Sequence, residues 1–149
     1  MKINSISRID FAREQLEVSI ELFLSARSFA SALTLAGAAE EIFGKLLVLK
    51  EQSNSLVDEW KTNEELEPFF SGKNINFKFF RYGKNKSKNA LKHLDSLLDE
   101  NQGITDEIEE DSLKMIIRAY DNFVRLGYEK TNVIFDFEDW FNKNIIGGQ

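Results

Sequence analysis

The sequence has no cysteine and only one proline and one histidine among its 149 residues. Without cysteine the chain can form neither a disulfide nor a thiolate metal site, and a single histidine argues against a zinc site. The shortage of proline and glycine favours helices over many short strands. We therefore expect a protein that folds in a reducing compartment without metal or cofactor.

Long apolar segments are also missing. No run of 18 apolar residues occurs, so the sequence offers no candidate for a transmembrane helix. The first residues, MKINSISRIDFAREQLEV, carry charges where a signal peptide needs an uninterrupted apolar stretch. We predict a cytoplasmic protein without a membrane partner. Its length and its 42% hydrophobic content predict one globular domain over 1–149.

Acidic residues are absent from one part of an otherwise acidic chain. The formal net charge is −6, and a uniformly acidic protein repels a nucleic acid backbone. The segment 69–94, however, has no aspartate or glutamate. It contains seven cations: Lys73, Lys78, Arg81, Lys84, Lys86, Lys88 and Lys92. The distribution indicates an acidic scaffold that carries one basic segment, where a localised anion site is expected.

Apolar residues recur at helical spacing over most of the chain and predict an all-α fold. Ser7 is expected to cap the first helix at Arg8. The segment 53–68 is expected to be loops with a short helix, and 75–82 a short strand or a structured loop. The architecture predicted is an antiparallel bundle of four to five helices. The four main helices cover about 8–26, 28–52, 87–100 and 106–126, and short helices cover about 56–60 and 136–144.

The stretch KNALKH, residues 88–93, contains the lone histidine at the end of the basic segment. If Ser87 or Asn89 opens a helix, Lys88 lies in the first turn and His93 about one turn later. Both could then face one anion beside the free N–H groups of the helix start. Histidine and lysine together suit phosphodiester chemistry without a metal. Alternatively, His93 packs at a helix interface and the lysines keep a loop soluble.

KNALKH resembles the Arg-Asn-x-x-x-His signature of the HEPN superfamily. LTLAGAAEEIFGKLL is similar to the helix that precedes the signature in that family, and MIIRAYDNFVRL is similar to a core helix that follows it. The likeness spans most of residues 8–142. It implies an antiparallel helical bundle that dimerises so that two signatures face one another across a cleft. Active members of the family are metal-independent ribonucleases, often toxins or phage-defence effectors, whereas others are non-catalytic binding domains.

The resemblance also assigns roles to the residues of the motif. His93 takes the position of the general acid or base, Asn89 that of a polar organiser, and Lys88 the position of the arginine. Lysine lacks the planar fork with which arginine binds phosphate, so this departure favours binding over catalysis. The other residues assigned to binding are Arg81, Lys84, Lys86, Lys92, Glu40, Glu41 and Arg118.

Three functions remain from this reasoning. The first is a dimeric, non-catalytic module that binds a nucleotide or RNA in a toxin–antitoxin or phage-defence system, where an antitoxin-like protein is a further partner. The second is a metal-independent ribonuclease that uses His93. The third is a helical homodimer for protein interaction, in which the basic segment docks on the acidic face of a second subunit.

Two adjacent glutamates lie in the second predicted helix. On a helical wheel Glu40 and Glu41 each belong to a mostly apolar or small stripe, and a carboxylate is costly to bury without a partner. At least one of them is expected to meet a cation or line a polar cleft, and the resemblance suggests Lys88, Lys92, His93 or Arg118 as the partner. Projection into solvent and an ordinary salt bridge are the alternatives.

Small residues on the same helix allow another helix to come close. Gly37 and Gly44 are seven residues apart and share the stripe that contains Glu41. They predict either a dimer seam or a crossing within one chain. Arg118 and Asn122, one turn apart on a later helix, are expected to make buried structural hydrogen bonds.

Overall fold

The computed structural model describes residues 5–70, 77–91 and 107–147, with the backbone alone over 63–70 and 77–80. The described residues form six α-helices and no strand, which confirms the all-α class. The helices are α1 (Arg8–Leu24), α2 (Phe29–Leu49), α3 (Ser55–Phe70), α4 (Phe77–Ala90), α5 (Ile108–Arg125) and α6 (Asn132–Phe141), and α6 continues into a π-helical turn, Asn142–Ile146.

The starts of α1 and α2 follow from serine caps. Ser7 Oγ accepts a hydrogen bond from the backbone N–H of Asp10 at 3.0 Å, and Ser28 Oγ accepts one from Ser31 at 3.2 Å. These side chains satisfy N–H groups that the first turn of a helix leaves unpaired. The predicted cap at Ser7 is confirmed.

The hydrophobic core is built by four of the helices, α1, α2, α5 and α6. Phe23 at the end of α1 lies 5.6 Å from Phe29 at the start of α2, measured between ring centroids, as expected for an antiparallel pair. The core cluster consists of these buried residues: Ala12, Leu16, Ile20, Phe23, Ala32, Leu33, Ala36, Ala39, Phe43, Met115, Ile116, Ala119, Phe123, Ile134 and Phe137.

The helices α2 and α5 run in the same direction along their interface. Glu40 contacts Arg118, and further along both helices Phe43 lies 5.9 Å from Phe123. The predicted antiparallel order therefore holds for α1 and α2 but is wrong for α2 and α5. The reason is the long connection between them, which contains α3 and α4 and allows the chain to return to the end where α2 began.

Two predictions about the middle of the chain are also wrong. Over the described part of 75–82 the chain is the first part of α4, not a strand or a loop, and α3 is a full helix over Ser55–Phe70. Because α4 ends at Ala90, Lys88 lies in its last turn and not at a helix start. The spacing Phe77, Phe79 suggested a strand, but α4 buries polar residues three apart, Asn85 and Lys88, a pattern that apolar periodicity does not reveal.

The C-terminal part packs aromatic rings on the core. Phe137 of α6 stacks on Trp140 with 6.3 Å between ring centroids, and Trp140 meets Phe23 edge-on at 5.1 Å. Three acidic residues lie in the first turn of α5, where the helix dipole favours negative charge. None of the helices that the structure describes combines the length and the apolar character needed to cross a membrane.

Candidate functional site

Lys88 lies at the crossing of α4 and α2 with only 1% of its side chain exposed. Its Nζ donates a hydrogen bond to Glu41 Oε1 at 2.8 Å. Its aliphatic chain lies on Gly37, one turn before Glu41, and a Cβ at Gly37 would be 2.1 Å from Lys88 Cδ. Lysine normally keeps its ammonium group in water. Here a glycine makes room for the chain and a carboxylate neutralises the charge.

Arg118 of α5 makes a second and more deeply buried ion pair. Its Nη2 donates to Glu40 Oε1 at 2.8 Å, and the two side chains are 5% and 6% exposed. Its Nη1 lies 3.4 Å from Asn85 Oδ1 and 3.5 Å from the backbone oxygen of Lys84, both on α4. The buried Nε has no hydrogen-bond partner among the described atoms. Arg118 therefore joins α2, α4 and α5 but leaves one donor unsatisfied, at a cost of about 1–3 kcal/mol.

Asn122, one turn after Arg118, fixes the start of α3. Its Oδ1 accepts a hydrogen bond from the backbone N–H of Ser55 at 2.8 Å, and its Nδ2 lies 3.5 Å from the backbone oxygen of Glu40. A Cβ at Gly44 would lie 3.3 Å from Asn122 Nδ2. The two glycines thus serve crossings within the chain, and the prediction of buried hydrogen bonds for Arg118 and Asn122 is confirmed.

A cleft of about 760 Å³ lies between α3, α4 and α5. Lys88 and Arg118 form part of its floor with the apolar residues Leu33, Met115 and Ile117. The rim carries three cationic side chains that are more exposed: Lys84 at 45%, Lys114 at 61% and Arg125 at 30%. We call these three residues the cationic rim.

Each cation of the rim is paired with a carboxylate. Lys84 Nζ lies 3.0 Å from Glu59 Oε2, and Lys114 Nζ lies 2.5 Å from Glu110 Oε1. Arg125 pairs with Asp58 through Nη1 and with Asp121 through Nη2, the latter at 2.7 Å. The cleft therefore presents alternating charge, and an anion that binds at the rim must replace a carboxylate.

Hydrogen bonds at the rim also shift the pKa values of two groups. The pKa of Asp58 is lowered, first by the hydrogen bond that Ser53 Oγ donates to Oδ1 at 2.5 Å and then by Arg125. The pKa of Lys114 is raised, chiefly by its hydrogen bond to Glu110. Both shifts keep the rim groups charged over a wider pH range.

The structure brings some of the predicted site residues together. Glu40 and Glu41 each meet a cation from the set suggested by the resemblance, Arg118 and Lys88 respectively. Lys84 lies on the rim of the cleft, whereas Arg81 lies beside Glu40 and Glu41 at a smaller pocket of about 270 Å³.

Other predicted residues are not part of this arrangement. Lys86 is exposed and Asn89 is half-buried at the end of α4, and neither lines the cleft. Lys92 and His93 lie outside the residues that the structure describes. The proposed orientation of Lys88 beside a helix N-terminus is wrong, because Lys88 lies in the last turn of α4.

Sequence reasoning missed the counterions and two of the three residues of the cationic rim. Five charged residues that the sequence did not indicate line the cleft: Asp58, Glu59, Asp111, Lys114 and Arg125. Ser87 Oγ donates a hydrogen bond to Asp111 Oδ2 at 2.5 Å, so Asp111 also holds α4. One feature of the sequence pointed to such pairs. Because the basic segment contains no aspartate or glutamate, its counterions must come from elsewhere in the acidic chain. The sequence does not say which of many carboxylates will be near.

Among the described residues, no group of three or more histidine, cysteine, aspartate or glutamate side chains is arranged to hold a metal ion. Comparison with protein-family models, with curated proteins and with solved structures found no match. The HEPN resemblance therefore stays a prediction that depends on the motif residues.

Proposed function

We propose that this protein is a non-catalytic, HEPN-like module that acts as a homodimer and binds a nucleotide or RNA through the cleft. The observation that carries the proposal is the cationic rim, where Lys84, Lys114 and Arg125 stand at the mouth of one cleft with much of each side chain exposed. A setting in a toxin–antitoxin or phage-defence system follows from the resemblance alone.

The rim cations can exchange partners at low cost. Ion pairs between exposed side chains contribute only about 0–1 kcal/mol, because water and salt already screen them. A phosphate group that approaches Lys84 or Lys114 therefore competes with a weakly held carboxylate. Glu59 remains nearby and repels the phosphate, so we expect binding to be modest and sensitive to salt.

The position of Lys88 favours binding over catalysis. Its Nζ is buried and neutralised by Glu41 at 2.8 Å. A group that stabilises a developing phosphate charge must reach the substrate with its hydrogen-bond donors. The charge of the Lys88 ammonium group is already neutralised by Glu41. Lys88, which takes the arginine position of the motif, therefore acts here as part of the scaffold.

A binding titration tests the proposal. Labelled single-stranded RNA and ADP are titrated separately in EDTA with the wild-type protein and with Lys84→Gln, Lys114→Gln and Arg125→Gln. We expect each substitution to weaken binding and to lower the salt slope by about 0.7 per lost phosphate contact on a single strand. Lys143→Gln is the matched control, because Lys143 is an exposed cation that does not line the cleft.

Two results of the titration would count against the proposal. One is the absence of binding for both probes at low salt. The other is an equal loss of affinity in Lys143→Gln and in the rim variants, which would indicate unspecific attraction. Cleavage of the RNA in EDTA that disappears in His93→Ala would instead establish the ribonuclease.

The second candidate is a helical dimer that binds protein, and exposed apolar residues favour it. Val48 and Leu49, neighbours at the end of α2, are 49% and 69% exposed, and Ile145 and Ile146 are 42% and 60% exposed. Sedimentation velocity over a range of protein and salt concentrations tests it. Self-association that Leu49→Gln abolishes, without affinity for RNA or ADP, would support this candidate.

A further inference from the structure

Over residues 81–90, the face of α4 that docks on the protein is polar. Among residues 81–90, the buried side chains are those of Asn85 and Lys88. Helices of globular proteins normally dock through an apolar stripe, as α2 and α5 do. Over this stretch, α4 is instead held by hydrogen bonds and ion pairs.

The contacts of residues 81–90 and the buried members of the core cluster are separate, although Leu91, directly after α4, packs against that cluster. The members of the core cluster come from α1, α2, α5 and α6, and none comes from 81–90. Several polar contacts hold this part of α4, and we call four of those between side chains the α4 latch: Lys88–Glu41, Lys84–Glu59, Ser87–Asp111 and Arg118–Asn85. The two carboxylates in the ion pairs belong to α2 and α3, so opening the latch removes no apolar residue of the core cluster.

We infer that residues 81–90 of α4 are held by an electrostatic latch, which releases as a unit when ionic strength rises while the core of α1, α2, α5 and α6 stays folded. Opening exposes Lys88 and Arg118 to solvent, which adds two cations to the three of the cationic rim that a ligand can reach. That the exposed cations serve ligand binding rests on the proposed function. The release of α4 at high salt does not depend on the proposed function.

The ion pair of Lys88 makes the closed state dependent on salt. Burying the ammonium group costs desolvation energy, which only its pairing with Glu41 offsets. The Glu41 side chain is 55% exposed, so ions in solution reach its carboxylate and weaken that pairing. The Lys84–Glu59 pair is exposed and screened in the same way. Both effects shift the balance toward the open state, in which the Lys88 charge is hydrated.

Hydrogen exchange of the full chain without any ligand tests the latch. When NaCl is raised from about 0.05 to 0.5 M, the Debye length falls about threefold. We expect the backbone amides of 85–90 to exchange at least about tenfold faster, whereas those of 36–47 and 115–123 keep their rates. Glu41→Gln should give the fast exchange of 85–90 already at low salt. Glu110→Gln is the control, because it breaks an exposed ion pair within α5 alone.

A second variant keeps the test decisive if Glu41→Gln does not fold. Lys88→Met retains the unbranched chain that lies on Gly37 but removes the buried charge. We expect its α4 to exchange slowly at both salt concentrations. Wild-type α4 amides that exchange as slowly as those of α2 and α5 at both salts would overturn the inference, and so would a Lys88→Met protein as sensitive to salt as the wild type. Because no RNA or nucleotide is present, failure of the binding titration leaves this result unaffected.

Discussion

The aliphatic chain of Lys88 occupies the space that a side chain on Gly37 would fill. A Cβ at Gly37 would lie 2.1 Å from Lys88 Cδ and 2.7 Å from Cγ, so one of the two residues must move if the glycine is replaced. Gly37 thus determines how closely α4 approaches α2. It also allows the Lys88 ammonium group to reach Glu41, one turn further along α2.

Gly37→Ala is expected to displace Lys88 and loosen α4. Alanine favours a helix by about 1 kcal/mol over glycine, but overpacking of a buried site costs about 1–3 kcal/mol, so the net effect on α4 docking is a loss. Native-state hydrogen exchange of α4 measures it. Gly83→Ala in α4 is the control, since a Cβ there meets nothing within 4 Å and should protect α4. If Gly37→Ala and Gly83→Ala slowed the hydrogen exchange of α4 equally, the close contact between Gly37 and Lys88 would be contradicted.

Glu40→Gln is expected to lower the free energy of unfolding by about 3–5 kcal/mol, because it leaves the buried Arg118 guanidinium without its counterion. Urea denaturation measures the change. The double variant Glu40→Met, Arg118→Met should recover most of the loss, since apolar residues of similar size avoid the desolvation cost. Glu110→Gln, at an exposed pair, should stay within about 0.5 kcal/mol of the wild type. If Glu40→Gln lowered the free energy of unfolding no more than Glu110→Gln does, the stabilising role of the buried Glu40–Arg118 pair would be contradicted.

Asp58→Asn is expected to destabilise the protein at neutral pH but not in acid. The hydrogen bond from Ser53 and the neighbouring Arg125 lower the pKa of Asp58 below its ordinary 3.8. A lowered pKa in the folded state contributes stability above the unfolded value, and this contribution disappears as the pH falls through the folded value. The difference between wild type and variant should therefore be constant above pH about 5 and vanish well below 3.8. Urea midpoints at several pH values measure it, and a difference that grows on acidification has the wrong sign.

Tyr120 is expected to ionise at higher pH than an ordinary tyrosine. Burial raises its pKa above 10.0, and the hydrogen bond that its hydroxyl group donates to Glu138 raises it further. NMR of tyrosine labelled at Cζ measures the titration of Tyr120. Glu138→Gln should move the pKa of Tyr120 downward but not fully to the ordinary value, because the burial remains. An unchanged titration in this variant would show that Glu138 does not act on the hydroxyl group.

Local patterns were enough to predict the outer parts of the fold. The Ser7 cap, the apolar period of α1 and the uninterrupted run of α2 all depend on residues within a few turns of one another. Apolar periodicity did not reveal α4, because its docking face over residues 81–90 is polar.

The candidate site was predicted in part for a similar reason. A carboxylate in a stripe of small and apolar residues must find a cation, which pointed correctly to Glu40 and Glu41. Distance along the chain carries no information on which cation that is. The pairs Glu40–Arg118 and Glu41–Lys88 join residues that are 78 and 47 positions apart.

The sequence by itself determined that this protein is helical, that its charge is divided between an acidic scaffold and one basic segment, and that at least one of Glu40 and Glu41 needs a cation or a polar cleft. These properties follow from composition and from short-range periodicity. Only the tertiary structure decided that residues 81–90 of the basic segment dock on their own chain, that the charge of Lys88 is paired with Glu41 in that docking, and that Lys114 and Arg125 share a cleft with Lys84. The physical reason is that charges pair through space, and the folded backbone alone sets which charges become neighbours.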